Sequence, residues 1–227
     1  GIGSDWLQAA KDLETDLPLV APKTDRALII FAKNPVLGKV KTRLAKTIGD
    51  QAAFEAYLQM LAHVRSVTAE TECHRAVFYT DFVDENDAWS RPAFSKHLQA
   101  SGDLGERMHA AISTLLKEGF QKVVLVGSDL LDLQVQHLEQ AFRALEFQDF
   151  VLGPAGDGGY YLVGMKTQSP WLFEGRTWST ATVLAEALQA IRERGFSVHL
   201  LPELSDIDDE KDWFAAQQRH QARQKAT

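Results

Sequence analysis

Short continuous apolar runs alternate along the chain with stretches in which apolar residues recur every three or four positions, a pattern that predicts strands interleaved with amphipathic helices. Ala27 to Ala32 is a run with neighbouring Ile29 and Ile30, as expected for a strand covered on both faces. Phe54, Tyr57, Leu58, Leu61 and Val64 then mark one helical face, and Arg75 to Thr80 reads as the next strand. Leu104, Met108, Ile112 and Leu115 stripe a second helix that Asp103 can cap and Gly119 can end, before the strand Lys122 to Val126. A helix through Leu138, Ala141, Phe142 and Leu145 follows, with Asp132 as a possible cap. Two strands come next, Phe150 to Leu152 and Tyr160 to Val163, on either side of the turn from Gly153 to Gly159. Val183, Leu184, Ala187, Leu188 and Ile191 stripe a late helix, Val198 to Leu201 is the last strand, and a closing helix from about Asp209 is expected to fray after Ala216.

This order predicts an α/β protein whose mostly parallel central sheet is wrapped by helices. Trp6 to Leu17 has helical spacing, so residues 1–25 read as an N-terminal helical appendage, 26–216 as a single domain and 217–227 as a polar tail. The opening Gly-Ile-Gly-Ser is set aside from this reading. An apolar share of 45% in 227 residues is ample for a core without a metal or disulfide staple. The formal net charge of −7 argues against a general DNA- or RNA-binding surface, which needs broad clusters of Lys and Arg. Cys73 is the only cysteine, which excludes an intrachain disulfide or a thiolate metal cluster and fits a reducing cytoplasm. No run approaches the roughly twenty apolar residues of a membrane helix.

The candidate chemistry follows the strands. Phe31 to Leu44 carries Lys33, Lys39, Lys41 and Arg43 and no acid, a local reversal of sign in an acidic chain. Backbone amides of the turn at Gly38, with the donors of Lys33, Lys41, Thr42 and Arg43, suit polyphosphate oxygens. The loop is no Walker A motif, because the Gly-Lys-Ser/Thr triplet is absent. Asp129 follows the apolar strand Val123 to Val126, where a carboxylate can meet a divalent cation on phosphate oxygens or cap the next helix. Asp157, Gly158, Gly159 and Tyr160 form either a sugar- or acceptor-binding turn or an ordinary hairpin. The run from Asp206 to Glu210 is either metal-binding or a favourable helix N-terminus. The seven histidines show no ligand spacing.

Taken in order, Phe31-Ala-Lys-Asn-Pro through Leu44, Gly102 to Met108, Gly127-Ser-Asp129, Gly153 to Tyr161, Trp178-Ser-Thr180 and Asp206-Ile-Asp208 resemble a bacterial glycosyltransferase family. It is the radical-SAM/selenodomain-associated transferase group, with distant similarity to cofactor guanylyltransferases. The resemblance, over roughly Ala27 to Trp213, implies a three-layer GT-A-type nucleotide-diphospho-sugar transferase fold. It implies that the first loop holds phosphates and that Gln99, Asp103 and Gly105 lie near the nucleoside. It also implies that Asp129 and Asp208 bind Mg²⁺ or Mn²⁺. Where that family has a short residue and Pro after the first aspartate, this chain has Leu130-Leu131.

The expected partners are a nucleotide-sugar or NTP and an unidentified acceptor, without nucleic acid or a membrane span. The leading expectation is sugar transfer from a nucleotide-diphospho-sugar, with Asp157 as catalytic base on the acceptor side. Nucleotidyl transfer to a phosphorylated acceptor, with pyrophosphate release, would use the same loop and metal. A non-catalytic nucleotide-binding module is the third reading.

Overall fold

The computed structural model describes residues 24–227, so the expected helix at Trp6 to Leu17 lies outside the described residues. Seven strands form one sheet: β1 (Arg26–Ala32), β2 (His74–Tyr79), β3 (Ser95–Leu98), β4 (Lys122–Gly127), β5 (Phe150–Pro154), β6 (Tyr160–Met165) and β7 (Val198–Leu200). Their order is β3-β2-β1-β4-β6-β5-β7, and only β6 runs antiparallel to its neighbours. The helices are α1 (Thr42–Ile48), α2 (Asp50–Ala69), α3 (Leu104–Lys117), α4 (Val135–Phe147), α5 (Val183–Glu193) and α6 (Glu210–Lys225).

The pleat of β1 explains the layers. Leu28, Ile30 and Ala32 face a core built with Tyr57, Leu61 and Val64 of α2 and Leu138 and Phe142 of α4. Ala27 and Ile29 face the opposite core, with Met108, Ile112 and Leu115 of α3 and Ala187 and Ile191 of α5. A third cluster seats α6 against α1 and α2 through Ile207, Trp213, Leu44, Ala53 and Met60. Asp103 caps α3 by accepting from the Glu106 amide at 2.8 Å, and Gly119 takes φ +103° just past its end.

Several sequence expectations need correction. Leu58 is exposed, because the buried face of α2 runs through Ala53, Ala56, Tyr57, Met60, Leu61 and Val64. The short helix α1 and the edge strand β3 escaped notice, being brief and, in β3, polar. Asp132 is not a cap; Gln134 and His137 close the start of α4 instead. The closing helix does not fray at Ala216 but continues to Lys225, well into the stretch expected to be a polar tail. Its polar residues are occupied. Arg219 grips Asp132 through two bonds of 2.9 and 2.8 Å, while Arg223 reaches the same carboxylate at 3.1 Å and the Leu131 carbonyl at 2.9 Å. Among the described residues no helix is long and apolar enough to cross a membrane.

Candidate functional site

Strand β1 has β2 on one side and β4 on the other, so the loops leaving its end and that of β4 diverge and leave a crevice there. The loop after β1 is held open from below. Buried Asn34 donates to the Phe82 carbonyl at 2.9 Å and accepts from the amides of Asp81 and Phe82, tying this loop to the one after β2. Tyr57 of α2 donates to the Lys33 carbonyl at 2.7 Å and lies 3.4 Å from Ser128 Oγ, which joins the two loops that flank the crevice. Burial pushes the Tyr57 phenol above its ordinary pKa, so it stays a neutral donor.

Two cavities adjoin in the crevice and share a wall of Phe31, Leu104, Gly127 and Asp129. The first is cationic, about 240 Å³, and lined by Lys33, Lys41, Thr80, Gln99, Arg107 and Ser128 among others. Gln99 is fixed there by donating to the Phe78 carbonyl at 3.0 Å and accepting from Arg107 at 2.7 Å, while Arg107 Nε is buried without a partner. The second, about 270 Å³, is lined by Asp157, Gly159, Tyr160 and Asp206 and floored by apolar side chains.

Acid and base meet across this crevice. Lys41 Nζ stands 3.3 Å from Asp129 Oδ2, and Arg43 3.8 Å from Asp208 Oδ2. Lys41 adopts φ 47°, a costly conformation for a residue with a side chain. Among the described residues only Ser179 shares a positive φ without being glycine, and it lines the second cavity. Asp206 is half-buried, and its carboxyl is pushed up to about 6 by burial and by the charges of Asp157, Asp208 and Asp129.

The sequence-predicted residues divide. Lys33, Lys41, Gln99, Asp129, Asp157, Gly159 and Tyr160 line one cavity or the other, and Arg43 and Asp208 pair with each other. Gly38 instead serves the turn closed by the bond from the Lys39 amide to the Val36 carbonyl, and Thr42 opens α1. Asp103 is consumed as the cap of α3. Gly105 leaves room for the Trp178 ring, which a Cβ would approach to 2.6 Å. Gly158 is needed for packing: it has φ +90°, and a Cβ would fall 2.1 Å from the Ala181 carbonyl, so no ligand occupies that space. The turn at 155–159 is indeed a hairpin turn between antiparallel β5 and β6, and Asp157 braces it by accepting from the Gly159 amide at 2.9 Å.

The motifs opened by Trp178 and Asp206 are quoted without a role for either side chain, and Arg107 and Thr80 carry no functional signal in the sequence.

The model of one bacterial family, described as "Uncharacterized protein conserved in bacteria (DUF2064)", matches residues 63–180, just over half of the chain. The chain belongs to this family. The matched segment includes Asp129, Asp157 and Trp178 but neither the cationic loop nor Asp208. No curated protein matches the sequence. A solved structure from Desulfovibrio desulfuricans G20, provisionally named a nucleotide-diphospho-sugar transferase, superposes with a TM-score of 0.78 at 28% identity, covering 88% of this chain and 96% of that one. The 4-diphosphocytidyl-2C-methyl-D-erythritol synthase of Anaerococcus prevotii DSM 20548 superposes at 0.57 with 10% identity, over 87% and 96% of the two chains. The 2-C-methyl-D-erythritol 4-phosphate cytidylyltransferase of Thermus thermophilus gives 0.51 with 11% identity, over 86% and 98%. The last two share the fold alone. The DUF2064 chain thus has a nucleotide-diphospho-sugar transferase-like fold.

Proposed function

We propose that this DUF2064 chain is a metal-dependent transferase that takes a nucleotide-diphospho-sugar as donor. The observation that carries this reading is the pairing of the cationic loop with two distant aspartates, Lys41 with Asp129 and Arg43 with Asp208, at the sheet's crevice. The provisional name of the Desulfovibrio protein supports it. In this reading Lys33, Lys41, Arg43 and Arg107 neutralise the diphosphate of the donor, and Gln99 sits by the nucleoside. The charge they supply matters most as the diphosphate departs. Asp157, at the surface of the second cavity, takes the proton of the attacking acceptor.

The donor set fits a hard cation. No group of three metal-ligating side chains exists among the described residues. Mg²⁺ is commonly held by one or two carboxylates with the substrate's phosphates completing its shell, and that is the role open to Asp129 and Asp208. Bound there, Mg²⁺ or Mn²⁺ supplies neutralisation of the diphosphate's negative charge.

The decisive experiment measures nucleotide and nucleotide-sugar affinity with and without Mg²⁺ for the wild-type chain and Asp129→Ala. Loss of the metal-dependent part in the variant is expected, and unchanged affinity would remove the reading's main support. Release of pyrophosphate on incubation with an NTP would instead favour nucleotidyl transfer.

A further inference from the structure

The contrast between the two cavities carries a statement about the second substrate that rests on the transferase reading. Among the described residues, the cavity that holds Asp157 is lined by no lysine, arginine or histidine and by three carboxylates, those of Asp129, Asp157 and Asp206. All the lining cations lie on the other side of the shared wall. The floor is apolar: Met108, Leu125, Leu130, Val163 and the Trp178 ring. At about 270 Å³ it lies just below the range of roughly 300–1,000 Å³ typical of ligand pockets, room for a ring or a short chain.

Two of its lining side chains, Tyr160 and Trp178, also carry a phenolic O–H and an indole N–H that are buried with no hydrogen-bond partner. Neither atom touches the cavity's open space, so both rings present it with an uncharged aromatic wall. Ser179, beside Trp178 on the same lining, keeps its strained φ of 63°. A phosphate group placed here would meet Asp157 and Asp206 with no cation on the lining, the Lys41 charge being held by Asp129 across the shared wall, whereas an alkyl or aryl body would gain from the floor.

We infer that the acceptor is an uncharged hydroxyl compound with an alkyl or aryl body, and not a phosphate ester. The hydroxyl faces Asp157 and the body lies over Leu130 and Met108.

The test titrates the full chain, by calorimetry, with benzyl alcohol, butanol and hexanol and with their phosphate monoesters. Excess pyrophosphate is present throughout, so that the cationic cavity is filled and the esters report on the second one. The alcohols should tighten by about fourfold per methylene buried, and each ester should bind at least tenfold more weakly than its alcohol. Leu130→Trp, which closes the cavity, should weaken the alcohols at least tenfold. If that variant melts early, Thr180→Trp at the half-buried rim makes the same closure.

An ester that binds as tightly as its alcohol, a series with no binding, or alcohol affinity unmoved by both variants would overturn the inference. Failure of the donor reading shows separately, as absence of metal-dependent nucleotide binding in the wild-type chain.

Discussion

Single side chains set the chemistry of the crevice. Arg43 is well exposed in the first turn of α1, yet its only acidic partner among the described residues is Asp208, from the far end of the chain. Arg43→Ala should weaken nucleotide binding more than about tenfold in calorimetry, the worth of one charge-assisted contact of ~1.5–3 kcal/mol. Equal affinity would count against the phosphate clamp. The cationic loop was legible in the sequence because a cluster of one sign within a dozen residues needs no folding to be seen. The steric role of Gly158 was not legible, for the opposite reason. Nothing local reveals that Ala181 will occupy the space beside it, and only the packed loop shows that this glycine answers a steric demand. Gly158→Ala is therefore expected to lower stability by at least about 1–3 kcal/mol in urea unfolding, through strain at φ +90° and displacement of the 181 loop.

Helix α6 shows how an element can be held by residues that look like solvent exposure. Its start was legible: Asp209 caps it by accepting from the Asp212 amide at 2.8 Å, as the acidic run suggested. Its length was not, because Arg219 and Arg223 owe their order to Asp132, a carboxylate that follows β4 and is itself buried. Burial raises the Asp132 pKa, but the two guanidinium groups outweigh it and hold the carboxyl below its usual range. Leu130 and Leu131, read as a departure after Asp129, turn out to have separate uses. Leu130 floors the second cavity, and Leu131 is buried in the cluster beneath α6. Arg219→Ala should cost about 1–3 kcal/mol, since Arg223 remains to pair the buried carboxylate, and should expose α6 to faster amide hydrogen exchange.

A second element, the edge strand β3, is pinned by Lys96. Its ammonium is buried and bonded to Asp87 at 2.7 Å and to the Asp84 carbonyl at 2.6 Å, with Asp87 also accepting from Tyr79 at 2.6 Å. Removing the lysine leaves that carboxylate without its cation, held only by Tyr79 and the Trp89 amide. Lys96→Met should destabilise by about 3–5 kcal/mol, read as a drop in the denaturation midpoint.

At the scale of the whole molecule, the charges predict a stability that falls in mild acid. His63, His74, His97, His137 and His220 all have pKa values lowered chiefly by burial, so the folded chain holds them neutral more strongly than the unfolded chain does. Their contribution is complete above the ordinary histidine pKa of about 6.5 and is lost as pH falls below it. Asp206, with its pKa raised to about 6, works the other way over the same interval. The histidine loss begins near pH 6.5, before Asp206 gains as pH falls through about 6. The melting temperature should therefore drop between pH 7.5 and 5.5, and a flat or rising value would refute the assignment. His63 sits between α2 and α6, 2.6 Å from the Leu133 carbonyl and edge-on to His220, so loosening of α6 should lead the transition.

The order and type of most elements, the two faces of the central strands and the position of the cationic loop were determined by the sequence alone, because each rests on residues within a few positions of one another. The antiparallel insertion of β6, the reach of α6, the division of the crevice into a cationic and a cation-free cavity, and the approach of Arg43 to Asp208 were decided only by tertiary structure. Periodicity records which face a segment buries, whereas partners separated by forty residues or more are chosen by the closing of the sheet.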